Sequence, residues 1–208
     1  MDITRRLVYY KLMARDATRL SIIRHGARLV HSKGYNNTGL SDILQAADVP
    51  KGSFYFYFKS KDDFGLAIID FYWEFINHMG ETSCSDSKIP PLERLAGFMD
   101  AYQKHFERMD LRGGCPIGNL MQEMSDLSEA FREKVGDVYS RMQERIAQLL
   151  KEAKDRGDLP TGIDPDLIAQ FILNSWEGAI MHMKLIKSSE PLKVFKQMVF
   201  ERILKQNR

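Results

Sequence analysis

Apolar residues recur along most of this chain at intervals of three and four residues, the spacing that places side chains on one face of an α-helix. The first clear stretch ends at Lys33-Gly34, a basic residue followed by one that tolerates positive φ, which is a typical helix end. A second, shorter stretch begins after Thr38, whose hydroxyl suits an N-cap. The apolar positions of these two predicted helices are Ile23, Gly26, Ala27 and Val30, then Leu40, Ile43, Leu44 and Ala47.

The run from Ser53 to Phe58, SFYFYF, is the segment whose composition favours a strand. Pro50 breaks the preceding helical pattern and suits a turn or a first helical turn. No other segment pairs convincingly with a strand here, and a lone strand leaves its backbone groups unsatisfied. The stretch from about Lys51 to Phe58 is therefore predicted to be a third short helix.

The remainder of the chain also follows helical spacing. Ser60 with Asp63 three positions later predicts the start of a fourth helix, whose apolar stripe ends at Met79. Polar, glycine- and proline-containing stretches predict loops over 80–91 and 111–116. Asp164 before Pro165 is a cap followed by proline at the first helical position. Further helices are predicted over 92–110, 117–124, 129–156, 165–187 and 189–204. The pattern predicts an all-α protein.

Composition agrees with a globular protein, because 44% of the 208 residues are hydrophobic and 28% are charged. No apolar run is long enough to cross a bilayer, and the first residues lack the features of a secretory signal. The two cysteines, Cys84 and Cys115, lie far apart, which favours a reducing compartment over a disulfide framework. We therefore expect a cytoplasmic protein. No spacing of His and Cys predicts a metal site, and no cofactor is expected.

The net charge of +2 hides an asymmetry between the two parts of the chain. Residues 1–65 carry eleven Lys/Arg and six Asp/Glu, whereas residues 66–208 carry nineteen and twenty-two. A basic first third on a mildly acidic remainder points to a polyanion at one end, although Lys and Arg are also the ordinary residues of a solvated surface.

Two short helices joined by a tight turn after a longer supporting helix describe a helix-turn-helix, whose second short helix lies in the major groove of DNA. On a helical wheel Phe54 and Phe58 share the side that would anchor this helix to its domain. Ser53, Phe56 and Tyr57 share the outward side. Lys51 and Gly52 stand at the helix N-terminus, and Thr38 and Lys61 at the starts of the flanking helices, where backbone N–H groups favour phosphate.

Residues 15–65 resemble the DNA-binding domain of the TetR family of bacterial regulators. The match is dense from Val49 to Lys61, VPKGSFYFYFKSK, and Gly34-Tyr35 precedes it. The resemblance implies phosphate contacts from Thr38, Tyr55, Tyr57 and Lys61, and groove-facing roles for Lys51, Gly52 and Ser53. The family more commonly has Ser at the position of Pro50 and His at that of Tyr57, so the resemblance does not fix the exact DNA contacts. The alternative is that Tyr55 and Tyr57 are only packing residues.

The resemblance divides the chain into a DNA-binding domain, residues 1–62, and a larger helical ligand-sensing and dimerisation domain, residues 63–208. The last two helices would form the homodimer interface. Their apolar faces consist of Ile168, Phe171, Ile172, Ser175, Trp176 and Ala179, then Leu192, Phe195, Met198, Val199 and Ile203. The same faces are also compatible with an ordinary core.

Cys115 precedes Pro116 at a predicted helix start, where the helix dipole would stabilise a thiolate and lower the pKa of the thiol. The surrounding segment, GGCPIGNL, resembles a TetR subgroup related to regulators of N-ethylmaleimide reductase. The resemblance implies that Cys115 senses electrophiles, with Lys184 as its partner. The alternative is a small buried hydrophobe. Candidate pocket residues are Trp176, Tyr102, His105 and Met121, with Met99, Met181 and His182. Cys84 is expected to be exposed in the loop over 80–91.

Three candidate functions can be compared from these residues. The first is a repressor that binds a palindromic operator as a dimer and is released by a small molecule or an electrophile. The second is an enzyme with Cys115 as nucleophile, which no spacing to a base such as His105 or His182 supports. The third is an architectural DNA-binding protein, for which the long second part is more than dimerisation requires. The first is the prediction, and the chain is not expected to be an enzyme.

Overall fold

The computed structural model describes residues 3–205, and side chains from residue 16 onward. Every regular element in this range is a helix. The helices are α1 Ile3–Lys33, α2 Leu40–Ala46, α3 Phe54–Tyr57 after a 3₁₀ turn Lys51–Ser53, α4 Lys61–Cys84, α5 Pro91–Arg108, α6 Pro116–Met124, α7 Glu129–Asp155, α8 Pro165–Ile186, and α9 Glu190–Met198, which continues into a π turn Val199–Ile203. The predicted all-α class is confirmed.

The first three helices share a core that is closed by the start of α4. The periodic positions Ile23, Ala27 and Val30 of α1 are buried, as are Ile43 and Leu44 of α2. Aromatic rings complete this core, since Phe54, Phe58 and Phe64 stand with ring centroids 5.2–5.8 Å apart. A side chain at Gly26 would overlap the Phe64 ring, so glycine is what allows α1 to approach α4 here.

The longer helices form a second packed group in which α7 lies against α4, α5, α6 and α8. Its largest fully buried side chains include Leu95, Met99, Tyr102, Phe106 and Phe131. The start of α8 is set by Asp164, whose side chain accepts hydrogen bonds from the backbone N–H groups of Asp166 and Leu167, as the sequence predicts.

The aromatic run is helical, in agreement with the prediction made against its strand propensity. The predicted start of the next helix is also confirmed, because Ser60 accepts a hydrogen bond from the Asp63 N–H at 3.0 Å and caps α4. In a helix, backbone hydrogen bonds form within the segment, so the backbone groups that a lone strand would leave unpaired are satisfied. Tertiary packing of Phe54 and Phe58 therefore outweighs the local preference.

Two local predictions are wrong. Thr38 is not the N-cap of α2, because Gly39 takes that position and the Thr38 hydroxyl donates instead to the Gly34 carbonyl at 2.6 Å. Helix α4 also runs past Gly80 to Cys84, so that Cys84 is a half-buried helix residue rather than an exposed loop residue. The end of this helix is held against α5, since the Arg94 guanidinium donates to the Cys84 carbonyl at 3.2 Å.

Candidate nucleic-acid interface and ligand cavity

The short helix α3 has one buried side and one exposed aromatic side. Phe54 and Phe58 are each 1% exposed and fix the helix to its domain. Tyr55 and Phe56 are 69% and 61% exposed. Two large exposed aromatic side chains next to each other are a candidate binding surface. Against DNA, a tyrosine hydroxyl can bond a phosphate and a phenyl ring can pack on a thymine methyl.

The other residues predicted for this face lie beside the two rings. Lys51 and Gly52 are exposed, and open space surrounds the Cα of Gly52. Ser53 and Tyr57 are half-buried. Tyr57 also packs on the core while its ring meets that of Phe56 edge to face at 5.1 Å. The structure thus brings together six of the predicted DNA-binding residues: Lys51, Gly52, Ser53, Tyr55, Phe56 and Tyr57.

The remaining two predicted phosphate contacts differ from this group. Thr38 is 0% exposed, so its side chain cannot reach a phosphate and its predicted role is wrong. The Lys61 ammonium donates to the Tyr35 carbonyl at 2.9 Å and lies 4.6 Å from the centre of the Tyr35 ring. An ammonium has three donors, so this arrangement positions the cation and leaves capacity for a further acceptor.

Helix α6 holds the turn between α1 and α2 through contacts that the sequence did not predict. The Glu123 carboxylate accepts hydrogen bonds from the backbone N–H groups of Tyr35 at 2.8 Å and Asn36 at 2.7 Å. His31 Nε2 stands 2.8 Å from the Gly114 carbonyl oxygen, and burial lowers the pKa of this imidazole. These long-range pairs have no local signal in the sequence, because no spacing rule connects residues about ninety positions apart.

Cys115 lies at the start of α6, as predicted, but in an environment that opposes ionisation. Its sulfur is 3.5 Å from the donating Gly118 N–H and 3.8 Å from the Tyr102 hydroxyl. The residue is only 2% exposed, and burial raises the pKa of the thiol well above its ordinary value. The predicted lowering of this pKa is therefore wrong, because desolvation outweighs the helix N-terminus.

The Glu177 carboxyl is a further ionisable neighbour of this thiol. Glu177 has a pKa raised to about 7, mainly by burial, and a hydrogen bond with Cys115 acts in the opposite direction. Lys184 is exposed, and its ammonium donates to Asn119 Oδ1 at 3.3 Å. Its aliphatic chain also passes beside Gly114, the residue before Cys115. The two predicted sensing residues are therefore neighbours, with the amine outside and the thiol inside.

A cavity of about 200 Å³ lies between α4, α5, α7 and α8. Its wall is almost wholly apolar and includes the predicted residues Tyr102, Trp176 and Met99. Cys84, expected to be exposed in a loop, also lines it. His105 and Met121 do not, so their assignment to this cavity is wrong. His105 instead packs between Phe75 and Tyr102, with ring centroids at 4.9 and 6.2 Å, and Met121 is half-buried on α6.

The last two helices present an apolar groove at the surface. Its walls include exposed Phe171 and Ile186 of α8 and exposed Val194 and Met198 of α9. Trp176 and Ile172, predicted for the same face, point into the core instead. The predicted α8 face is thus split between an inner and an outer side. His182 lines the groove, and Met181 is exposed outside it.

None of the helices in residues 3–205 has the length and apolar character needed to span a bilayer. Within the part of the chain that has described side chains, no three of His, Cys, Asp and Glu are grouped so as to hold a metal ion.

Both parts of the chain match models of known families. The model described as "Bacterial regulatory proteins, tetR family" matches residues 22–68. The model described as "Tetracyclin repressor-like, C-terminal domain" matches residues 91–199. Together these matches cover the exposed aromatic helix, the Cys115 segment, and most of the helices around the cavity.

Several characterised regulators are similar over most of their length. "Transcriptional regulator AcuR" of Cereibacter sphaeroides is 41% identical over 175 residues, covering 84% of this chain and 80% of that protein. "HTH-type transcriptional repressor DhaR" of Mycobacterium sp. is 33% identical over 92% of this chain and 95% of that protein. "HTH-type transcriptional repressor NemR" of Escherichia coli is 28% identical, covering 84% and 88%.

Solved structures show the same likeness. A regulatory protein TetR from Rhodobacter sphaeroides superposes with a TM-score of 0.83 at 40% identity, covering 89% of this chain and 97% of that one. The reduced form of E. coli NemR superposes with a TM-score of 0.84 at 28% identity, covering 92% of this chain and 100% of that one. The fold and the N-ethylmaleimide-reductase-related subgroup inferred from the Cys115 segment agree with these neighbours.

Proposed function

We propose that this chain, which belongs to the TetR family of bacterial regulatory proteins, is a repressor that binds a palindromic operator as a homodimer and is released by a small molecule or an electrophile. The chain is a transcriptional regulator and not an enzyme. The observation that carries the proposal is the exposed Tyr55–Phe56 face of α3, held by two buried phenylalanines. Repression is supported by the names of DhaR and NemR.

The proposed contacts divide into two groups. Lys51, Gly52, Ser53 and Phe56 face base edges, because they lie at the start and the outer side of α3. Tyr55, Tyr57 and Lys61 bind phosphates, which fix the register of the protein without reading sequence. This division assigns the DNA-binding domain to residues 1–62 and ligand sensing and dimerisation to residues 63–208. A protein that acts on the chromosome works in the cytoplasm.

The apolar groove of α8 and α9 is the proposed dimer interface. Exposed Phe171, Val194 and Met198 are neighbours there, and burying them against a second copy removes apolar area from water. A twofold pairing of α8 and α9 makes a four-helix contact and presents α3 twice. Two reading heads match a palindromic site, because a twofold protein reads twofold DNA.

The proposed signal acts on the domain that contains Cys115 and the cavity. For an α,β-unsaturated carbonyl compound, the Cys115 sulfur forms a bond to the β-carbon and the thiol proton ends on the α-carbon, so the addition needs no other reagent. The Lys184 side chain lies beside Gly114, the residue before this thiol. Since Cys115 is buried, the reaction requires local opening. Release by a molecule that occupies the cavity without covalent bonding is the second route, supported by the apolar walls and the volume of about 200 Å³.

The test of the function begins with selection of genomic fragments on the purified full chain, followed by titration of a selected fragment and of the same fragment with one half-site scrambled. We expect tight binding to the intact site, much weaker binding to the scrambled one, and weaker binding at higher salt, because phosphate contacts release counterions. Adding N-ethylmaleimide is expected to release DNA from the wild type but not from Cys115→Ser. Equal affinity for intact and scrambled sites would refute the operator proposal.

A further inference from the structure

We infer that the cavity between α4, α5, α7 and α8 binds an uncharged single-ring or similarly sized hydrocarbon molecule that carries one hydroxyl group, held by the Trp176 indole N–H and the Asn77 side-chain oxygen. This inference rests on the proposed function, because it names the class of small molecule to which the regulator responds. It adds a size, a charge and a hydrogen-bonding pattern that the general proposal does not contain.

The size follows from the volume. An apolar protein cavity of about 150 Å³ is known to stay dry and to bind benzene. The present cavity, at about 200 Å³, holds one ring and one or two further heavy atoms. Its walls include the rings of Trp73, Phe98 and Trp176, which suit a flat apolar ligand.

The charge follows from the ionic groups at the wall. Arg145 is the only charged side chain among the lining residues, and it already has two partners. Its guanidinium stands 3.8 Å from the Glu81 carboxylate and 5.5 Å from the centre of the Trp73 ring. An ionised ligand in this apolar volume would lose its hydration, and the half-exposed Arg145 guanidinium beside Glu81 would compensate an anion only in part and a cation not at all. The cavity therefore selects a neutral molecule.

The hydroxyl follows from two buried polar atoms. Trp176 is 3% exposed, and its indole N–H has no acceptor among the described residues. The Asn77 amide nitrogen donates to Glu81 at 2.9 Å, which fixes the orientation of the amide. Its oxygen is then left buried and without a donor among the same residues. Both side chains line the cavity.

Unpaired buried polar groups are destabilising, and each is satisfied when a ligand supplies the complementary group. The indole N–H needs an acceptor, and the amide oxygen needs a donor. A hydroxyl group supplies both an acceptor and a donor. An ether satisfies the indole alone, and a hydrocarbon satisfies neither.

The experiment compares three probes of nearly equal size: toluene, anisole and benzyl alcohol, the last two being isomers. Binding to the full chain is measured by calorimetry and by fluorescence of Trp73 and Trp176, the two tryptophans of the chain, which both line the cavity. The readout is the ratio of each probe's dissociation constant to that of toluene. Ratios remove the general effect of a substitution on the shape of the cavity.

Trp176→Phe is expected to lower the preference for both oxygen-bearing probes over toluene about fivefold, because one hydrogen bond is lost. Asn77→Leu is expected to lower the preference for benzyl alcohol by a similar factor and to leave anisole unchanged. Trp73→Phe is the matched control, since it alters the same wall but removes no unpaired donor. We expect it to leave both ratios unchanged.

Two results would overturn the inference: no saturable binding of any probe, or the same preference ratios in the wild type and in both Trp176→Phe and Asn77→Leu. Circular dichroism checks that each variant folds. If Trp176→Phe does not fold, the comparison of Asn77→Leu with the wild type is the test. Operator titration of the same samples separates failure of the ligand inference from failure of the proposed function. Intact operator binding with failed probe discrimination rejects the ligand class only, whereas loss of selective operator binding in the wild type rejects the proposed function.

Discussion

At the scale of single residues, burial decides the chemistry more than position along a helix does. Cys115 stands at a helix N-terminus, which alone lowers the pKa of a thiol, yet its 2% exposure raises it. The sequence predicted the position of Cys115 correctly and its ionisation wrongly. Burial of Cys115 depends on tertiary packing, because Tyr102 of α5 contacts the sulfur and Glu177 of the distant α8 lies beside Gly118.

The two cysteines are expected to differ in reactivity. Cys84 is half-buried and Cys115 is buried, while burial raises the pKa of both thiols. At pH 8, iodoacetamide should therefore modify Cys84 first, with Cys115 at least tenfold slower because its reaction requires local opening. Peptide mass spectrometry measures both rates. In urea the rates should converge, and a faster Cys115 in the folded protein would contradict this environment.

Glu177 is expected to make the stability of the fold depend on pH. Its pKa is raised to about 7 in the folded protein, so the folded state binds the proton more tightly than the unfolded state does. The stabilisation from this group is present below the unfolded pKa, near 4.5, and is lost as pH rises through 7. Glu177→Gln should then reduce the loss of unfolding free energy between pH 5 and pH 8 by about 1–3 kcal/mol. Urea denaturation at several pH values measures this difference, and an unchanged pH slope would contradict it.

At the scale of elements, helical periodicity and the proline, glycine and capping residues were sufficient to predict most helices. As expected, helix α8 begins at Pro165 directly after Asp164, and a non-helical segment around Gly113-Gly114 separates α5 from α6. The two misses have different causes. Thr38 resembles a cap, but its hydroxyl donates to the Gly34 carbonyl four residues earlier. Helix α4 continues past Gly80 to Cys84, whose carbonyl accepts a hydrogen bond from Arg94 of α5.

The two proposed roles of α3 residues are expected to separate by substitution. Tyr55→Phe and Lys61→Ala should weaken binding to every DNA sequence, because they remove phosphate contacts. Ser53→Ala and Phe56→Ala should instead change which sequence is preferred, by about 1–3 kcal/mol at the affected base pair. Titration on a set of operator variants measures both effects. Uniform loss from all four substitutions would refute the division.

The contact between α6 and the α1–α2 turn is expected to stabilise that turn. Glu123→Ala removes the acceptor of two backbone N–H groups, so the amides of Tyr35 and Asn36 should exchange with solvent about tenfold faster, which corresponds to about 1.4 kcal/mol of local opening. Hydrogen exchange followed by NMR measures this. Glu133→Ala, an exposed acidic residue on α7, is the matched control and should change neither amide. Equal protection in the two variants would mean that the contact does not hold the turn.

At the scale of the whole molecule, the family assignment and the all-α architecture were predictable, because the segment 49–61 carries a dense motif. The connection between its parts was not. His31 with Gly114 and Glu123 with Tyr35 join the aromatic helix domain to α6, and α6 joins the cavity through Cys115 and Tyr102. These contacts connect the α1–α2 turn, through α6, to Tyr102 in the wall of the cavity.

Dimerisation is expected to depend on the groove of α8 and α9. Met198→Glu places a charge in this apolar face and should convert the dimer to a monomer, since a buried unpaired carboxylate is strongly unfavourable. Sedimentation velocity measures the change. Leu127→Glu is the control, because Leu127 is equally an exposed apolar residue but lies outside the groove. A Met198→Glu protein that stays dimeric would move the interface elsewhere.

The proposed function requires that Phe56, on the exposed side of α3, contacts base pairs twice in each bound dimer. Hydroxyl-radical footprinting of the full chain on a selected operator, combined with titration on operator variants, is the decisive measurement. We expect two protected segments related by a dyad and separated by a whole number of helical turns, and Phe56→Ala should alter base preference inside both. A single protected segment, or two segments whose base preference is indifferent to every α3 substitution, would contradict it.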